Sequence, residues 1–242
     1  MHLIKLSATS STNDFLKQLS VSQELAPFTV VWAKEQTQGR GQMGASWVTE
    51  TSKNLTFSIF LKDDAIQINT LFGLNVMIAN SIVKALQHFN LTNIYVKWPN
   101  DILSYNKKIA GVLIENNVKT DGSIQSIVGI GLNTMQTNFD GFPNASSVFN
   151  QYNIELNHED VITEIVKNIK ASLSDFSNIV DLEWDQYHHH LFRKDVVSTL
   201  ELPNGTKIVG IIKEVNRQGQ LVVQLENDDL KSFNLKEIKL LY

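Results

Sequence analysis

Residues 93–133, NIYVKWPNDILSYNKKIAGVLIENNVKTDGSIQSIVGIGLN, contain the pattern that decides the fold. Strand-forming residues predict β-strands over about 93–98, 109–115 and 124–131, and no helical pattern separates the three. Strands that follow one another without regular helical crossovers favour an α+β fold with a mixed sheet over a doubly wound fold.

The sequence on either side adds two strands and two helices. Strands are predicted over 28–34 and over 55–61, where apolar and polar residues alternate. An apolar stripe at helical spacing predicts a helix over 70–89. A second amphipathic helix is predicted from about 158, and its stripe extends to Phe176.

The C-terminal part of the chain has a different composition. Beyond about residue 185 the helical pattern stops, and only short β-type segments remain, at 196–202, 206–215, 219–226 and 230–242. Such a series of short strands predicts a small β-barrel. We therefore expect two domains, residues 1–190 and residues 191–242.

Charge and cysteine content exclude several functional classes. The 242 residues include 21 Lys+Arg and 25 Asp+Glu, a net charge of -4, which argues against a nucleic-acid partner. The absence of cysteine excludes disulfides, thiolate catalysis, cysteine zinc sites and iron–sulfur clusters. The N-terminus lacks a signal-peptide pattern and no apolar run has transmembrane length, so we expect a cytoplasmic protein without a membrane partner.

A glycine-rich segment, Glu35–Trp47 (EQTQGRGQMGASW), has three glycines around Arg40. Glycine lets backbone N–H groups approach a ligand, and an arginine suits phosphate or carboxylate. The segment is therefore either an anion-binding loop that closes over its ligand or a flexible surface hairpin with a solvated arginine.

A second segment, Val96–Asp101 (VKWPND), places a carboxylate at the end of a strand. Pro99 ends the strand, and the Asn100–Asp101 pair predicts a turn. Strand ends are common positions for catalytic groups, but Asp101 could equally cap its own turn.

Three glycines interrupt the next two predicted strands. Gly111 follows Lys108 in KKIAGVLIE, where either a ligand approaches the strand or a bulge leaves Lys108 solvated. Gly129 and Gly131 lie two residues apart and leave one face of their strand bare, as the floor of a pocket requires. Upstream, Ser10–Asp14 (SSTND) can cap the helix that follows or bind a polar ring.

The order of these five segments resembles the biotin protein ligase family over residues 9–133. The resemblance implies a catalytic domain of the class II aminoacyl-tRNA synthetase/biotin ligase type, with a small C-terminal SH3-like domain. It implies that ATP and biotin, with Mg²⁺ on the phosphates, form biotinyl-AMP. The biotinyl group then passes to one lysine of the biotin carboxyl carrier domain of a carboxylase. A homodimer is also compatible with it.

The resemblance assigns site residues by position. The catalytic residues are Arg40, Asp101 and Lys108. The biotin-binding residues are Ser11, Thr12, Asn13, Gln36, Gly39, Arg40, Lys108, Gly111, Leu113, Gly129 and Gly131. The nucleotide-binding residues are Arg40, Gln42, Trp47, Lys97, Asn100, Lys108 and Asn133. Asp101 orients the acceptor lysine or places the metal, and we favour the first because the attacking amine must lose a proton. The metal ligands stay unassigned.

Two features depart from the family pattern. Gln42 stands where relatives often have a second loop arginine, so the chain either holds its adenylate less tightly or supplies the charge from elsewhere. The first motif begins at residue 10, so we expect a ligase without the DNA-binding domain of some relatives.

Three other functions compete with this interpretation. A lipoate–protein ligase shares the fold and the adenylation chemistry, and a non-catalytic biotin sensor would need only the binding residues. An RNA-binding tail has little support, because residues 196–242 are not markedly basic. His188–His190 point in different directions on a helix, which argues against a metal site.

Overall fold

The computed structural model describes residues 1–68 and 71–242, except the side chains of residues 177–179. Within this part of the chain, no helix is long and apolar enough to cross a bilayer.

A seven-stranded mixed sheet forms the larger part of the molecule. Its strands lie in the order β1-β2-β3-β7-β6-β5-β4. The bounds are β1 (His2–Leu6), β2 (Thr29–Ala33), β3 (Leu55–Lys62), β4 (Ile94–Lys97), β5 (Asp101–Ser104), β6 (Lys107–Val118) and β7 (Ile124–Leu132). The pair β1–β2 is parallel, and the other described pairs of this sheet are antiparallel.

Helices cover both faces of this sheet. They are α1 (Thr12–Ser22), α2 (Leu71–His88), α3 (Val148–Tyr152), α4 (His158–Ser174) and α5 (Phe176–His190). Successive strand residues point to opposite faces, so Val30 packs in the large core with α2 and α4. Val31 joins a smaller core with Leu16 of α1 and Phe60. The face that α1 shares with the sheet is the one that carries the candidate site.

The C-terminal part forms a five-stranded antiparallel sheet, in the order β11-β10-β9-β8-β12. The bounds are β8 (Val197–Glu201), β9 (Lys207–Val215), β10 (Leu221–Leu225), β11 (Leu230–Phe233) and β12 (Lys239–Leu241). The sheet contacts the edge of the first, since Trp98 Nε1 donates to the Gly219 carbonyl over 2.9 Å. Phe192 N also donates to the Val96 carbonyl over 2.9 Å.

Several element predictions were incomplete. Strands β1 and β5 were not predicted, and Asp101 begins β5 instead of lying in the turn, which spans residues 98–100. Phe176 opens α5, because the backbone leaves the helical path at Asp175. The predicted segment 230–242 divides into two strands. Residue 70, the predicted start of α2, lies outside the described residues.

Candidate active site

The bare face of two neighbouring strands forms the floor of the candidate site. In the β6–β7 register Gly111 lies opposite Gly131, and Leu113 lies opposite Gly129. A Cβ atom on Gly129 would collide with Asn13 Oδ1, and one on Gly131 would collide with the indole of Trp47. These two positions require glycine because Asn13 and Trp47 approach the strand so closely, and both glycines also line the cavity.

Buried hydroxyl and amide groups from three segments make a polar wall. The backbone N–H and Oγ1 of Thr12 donate to Gln36 Oε1 over 2.7 and 3.0 Å. Ser58 Oγ lies 2.7 Å from Thr12 Oγ1 and 2.5 Å from Asn13 Oδ1. One hydroxyl proton serves one acceptor at a time, so the wall retains acceptor capacity for a ligand that brings N–H donors.

The Ser10–Asp14 segment caps the helix that follows it and also contributes residues to a cavity. Ser11 is the N-cap of α1, and its hydroxyl accepts from the backbone N–H of Asp14 over 3.5 Å. Thr12 and Asn13 meanwhile face the cavity. Ser11 also lines the cavity, so its hydroxyl takes part in both the cap and the cavity wall, and binding of a polar ring by this segment stays a prediction.

The glycine-rich segment folds back on itself as a hairpin. Gly41 N donates to the Ala45 carbonyl over 2.7 Å, and Trp47 N donates to the Gly39 carbonyl over 2.9 Å. A short 3₁₀ turn, Gln42–Gly44, forms its tip. The hairpin brings Trp47 back over the glycine floor, where its buried Nε1 has no hydrogen-bond partner among the described residues.

Arg40 lies at the rim and pairs with two carboxylates. Its Nη2 contacts Asp14 Oδ1 and lies 3.7 Å from Glu115 Oε2. Glu115 Oε2 also accepts from Asn13 Nδ2 over 2.8 Å. The arginine therefore links the loop to α1 and β6, and an incoming anion would compete with these carboxylates for it.

The deeper cation, Lys108, belongs to a cluster with Asp101 and Lys97. Lys108 Nζ lies 2.6 Å from Asp101 Oδ1, and Lys97 Nζ lies 3.4 Å from Asp101 Oδ2. The β4–β5 register sets Lys97 opposite Asp101. Lys108 Nζ also lies 5.4 Å from the centroid of the Trp47 ring. A carboxylate shared by two ammonium groups can release one of them to a competing anion.

A cavity of about 200 Å³ collects most of the predicted site residues. Those that line it are Ser11, Thr12, Asn13, Gln36, Arg40, Gln42, Trp47, Asn100, Asp101, Lys108, Gly111, Leu113, Gly129 and Gly131. Gly39, Lys97 and Asn133 do not line it. Asn133 is buried, and its Nδ2 donates to the Ser146 carbonyl over 3.0 Å.

A second cavity of about 530 Å³ adjoins the first. It lies between the glycine-rich segment, the turn after β4 and the C-terminal sheet, and it includes Met43, Lys97 and Lys236. Both cavities are lined by Gln42, Ala45 and Asn100. The C-terminal sheet therefore contributes a wall beside the candidate site.

Sequence analysis missed three residues of this site. Ser58 joins the polar wall, and Asp14 and Glu115 hold Arg40. Ser58 had a signal, because it and Thr56 are the two polar residues of the strand predicted over 55–61. The pairing of Arg40 with Glu115 had none, since it joins residues far apart in the chain.

The cavity offers cations for an anionic ligand and hydroxyl and amide groups for a neutral polar one. Two cations flank a narrow apolar floor, and a polar wall closes the far end. Among residues 1–68 and 71–242 no group of three His, Cys, Asp or Glu side chains could hold a metal ion.

The family model for the biotin/lipoate A/B protein ligase family matches residues 6–133, more than half of the chain. The chain belongs to this family. Its polar wall, glycine floor and Asp101 cluster all fall within the matched residues.

Proteins and structures similar to this family member cover nearly all of it. The bifunctional ligase/repressor BirA of Escherichia coli is 26% identical over 231 residues, 90% of this chain and 68% of the relative. A biotin–[acetyl-CoA-carboxylase] ligase of Mycobacterium tuberculosis is 22% identical over 220 residues, 90% of this chain and 81% of the relative.

The structural comparison confirms the predicted fold class. The biotin protein ligase from Aquifex aeolicus, solved in complex with biotin and ATP, has a TM-score of 0.82. It is 24% identical, and the match covers 99% of this chain and 98% of that one. The boundary predicted at residues 190 and 191 stays a prediction.

Proposed function

We propose that this chain is an ATP-dependent biotin–protein ligase. It joins biotin to AMP and transfers the biotinyl group to one lysine of a biotin carboxyl carrier domain. The observation that carries the proposal is a single cavity that combines a polar wall, a glycine floor and the Asp101–Lys108 pair.

The polar wall favours biotin over lipoate. Biotin's ureido ring offers two N–H donors and one carbonyl acceptor, and the wall of Thr12, Asn13, Gln36 and Ser58 is rich in groups that match them. Lipoate carries a dithiolane ring, which would leave the remaining acceptor capacity of these groups unused. A site built to hydrogen-bond its ligand binds an analogue without the matching groups less tightly.

In the first half-reaction a biotin carboxylate oxygen attacks the α-phosphorus of ATP. The bond to the β-phosphate breaks, and pyrophosphate leaves. Two unit charges at 4 Å repel by about 4 kcal/mol at an effective dielectric of about 20, so the approach needs cations. Lys108 and Arg40 supply them, each exchanging a protein carboxylate for the reacting anions.

In the second half-reaction the acceptor amine attacks the acyl carbon of biotinyl-AMP. The bond to the phosphate oxygen breaks, AMP leaves with the bonding electrons, and the amine loses a proton. We assign to Asp101 the role of orienting that amine and accepting its proton once Lys108 has moved to the anhydride, and its ion pair with Lys108 supports this role. Trp47 and the hairpin that carries it cover the reactive anhydride and exclude water.

Mg²⁺ would arrive with the nucleotide. Magnesium in nucleotide sites is commonly held by phosphate oxygens and one or two carboxylates. Asp101, which already pairs with Lys97 and Lys108, is the carboxylate of the described cavity lining. The residues therefore fit a metal carried by phosphates better than a metal held in a protein cage. The cytoplasmic location and the homodimer stay predictions from sequence.

Biotinylation of a purified carrier domain tests the proposal. The chain, ATP, Mg²⁺ and biotin should convert the carrier to its biotinyl form, and a carrier whose acceptor lysine is replaced by arginine should stay unmodified. Lipoate should not compete. Modification by lipoate instead of biotin would support the lipoate-ligase alternative, and tight biotin binding without any product would support the sensor.

A further inference from the structure

The ring of Tyr242 reaches from the C-terminal sheet to the edge of the first sheet. It follows β12 and lies half-buried, with its centroid 5.2 Å from that of Phe192 in an edge-on contact. Phe192 is fixed in turn, because its backbone N–H donates to the Val96 carbonyl over 2.9 Å. The ring is thereby held beside β4, the strand that carries Lys97.

Lys97 is held from two sides. Its Nζ lies 5.6 Å from the centroid of the Tyr242 ring and 3.4 Å from Asp101 Oδ2. Both distances are within the range of attraction for an ammonium group. Burial, and then the negative charge of Asp101, raise the pKa of Tyr242 to about 12, so the tyrosine is neutral near pH 7.

We propose that Tyr242 is a positioning residue that keeps the Lys97 ammonium beside Asp101. The inference rests on the proposed function, and it makes the C-terminal sheet part of the chemistry of the first sheet. Lys97 shares the charge of Asp101, and this loosens the pairing of Asp101 with Lys108. When the ring is lost, Lys97 swings away, Asp101 pairs more tightly with Lys108, and Lys108 is less available to the reacting anions.

Two variants of Tyr242 in the full chain separate the ring from its hydroxyl. Tyr242→Phe keeps the aromatic face, so we expect biotin-dependent exchange of pyrophosphate into ATP at the wild-type rate. Tyr242→Leu removes the face, and we expect kcat to fall by about tenfold with the KM for biotin unchanged, since Lys97 does not line the cavity. Tyr105→Leu, at an exposed tyrosine, is the matched control and should leave the rate unchanged.

A double-mutant cycle with Lys97→Gln distinguishes positioning from general stability. If Tyr242 acts through Lys97, Tyr242→Leu should have no further effect on the residual rate of the Lys97→Gln variant. An equal, additive loss in both backgrounds would contradict the inference, as would an equal loss in Tyr242→Phe and Tyr242→Leu.

A structural readout makes the test independent of activity. After reductive ¹³C-methylation, the Lys97 methyl resonance, assigned by its loss in Lys97→Arg, should carry a ring-current shift in the wild type and Tyr242→Phe. Tyr242→Leu should abolish that shift. A shift that persists in Tyr242→Leu would overturn the contact, and a lost shift with unchanged kcat would overturn its role. Absence of exchange in the wild type would instead contradict the proposed function.

Discussion

Two carboxylates with lysine partners lie in very different surroundings. Glu183 of α5 is 3% exposed at its side chain, and it accepts from Asn80 Nδ2 over 2.6 Å and from Ser172 Oγ over 2.8 Å. Lys84 Nζ lies 3.1 Å from it. Asp101, by contrast, is 16% exposed, lines a cavity, and lies between two ammonium groups.

The difference separates a structural carboxylate from an exchangeable one. The neutral donors of Glu183 come from α2 and α4, so its hydrogen bonds join three helices, and replacing one partner would leave a buried charge with fewer donors. The single negative charge of Asp101 is shared by two ammonium groups, and both lysine side chains are partly solvated. One lysine can therefore leave at small cost when an anion arrives. Stability should depend on the first carboxylate and activity on the second.

The largest effect is expected where the structural carboxylate is removed. Glu183→Ala should lower the free energy of unfolding by about 3–5 kcal/mol, because Lys84 and the buried Ser172 hydroxyl lose their partner and Asn80 keeps only the backbone carbonyl of residue 183. Thermal and denaturant unfolding measure this loss. Glu183→Gln should cost less, about 1–3 kcal/mol, since the amide still accepts.

Glu164→Ala on α4 is the matched control for that change. Glu164 pairs with the well exposed Lys167, so its loss should cost about 1 kcal/mol or less. If Glu164→Ala and Glu183→Ala destabilise the chain equally, the structural role assigned to Glu183 is wrong.

The next largest effect is expected when Lys108 is removed from its cluster with Asp101 and Lys97. Lys108→Ala should reduce biotin-dependent adenylation by about 100-fold or more, because the developing phosphate charge loses a positioned partner. The melting temperature should change little, since the lysine is one third exposed.

Lys107→Ala tests whether position 108 is special. The Lys107 ammonium donates to the Pro143 carbonyl on the outside of the same strand, so its removal should leave the exchange rate unchanged. Normal biotinyl-AMP synthesis by Lys108→Ala would remove Lys108 from the mechanism.

A smaller and more selective effect is expected at the carboxylate itself. Asp101→Asn frees Lys108 for the adenylation step but removes the group that accepts the proton of the acceptor amine. Transfer from preformed biotinyl-AMP should fall by about 100-fold, while pyrophosphate exchange changes much less. Single-turnover transfer and exchange are measured side by side, with the exposed Asp185→Asn as control. Equal loss in both half-reactions would indicate metal placement instead.

The smallest effect is expected at the neutral residue of the loop. Gln42 lines both cavities, and an arginine there would add a cation beside the anhydride. Gln42→Arg should slow release of biotinyl-AMP by about two- to fivefold, the range of a partly solvated ion pair. Gln38→Arg, on an exposed loop residue outside both cavities, should not change the release rate. An unchanged rate in Gln42→Arg would indicate that the charge is already supplied from elsewhere.

Features set by neighbouring residues in the chain could be predicted from the sequence, whereas features set by distant residues could not. Alternation of apolar and polar residues predicted β3, and runs of strand-forming residues predicted β6 and β7. β1 and β5 were missed because each is short. In addition, β5 begins at Asp101, and the Asn100–Asp101 pair predicts a turn. The break between α4 and α5 was missed because Phe176 continues the apolar stripe.

The same reasoning applies to the site. The glycines and the cations of the cavity were predicted from local motifs. The partners of Arg40 and of Glu183 could not be, because Glu115 and Asn80 reach them only through the tertiary fold. Sequence motifs thus named most of the groups that line the cavity, while the groups that hold them in place required the structure.

Exchange of labelled pyrophosphate into ATP, with no acceptor protein present, tests the central proposal most directly. We expect exchange with biotin, none with lipoate, and none with biotin in the Lys108→Ala variant. Exchange with lipoate alone, or equal exchange in the wild type and Lys108→Ala, would contradict the assignment of biotin adenylation to this cavity.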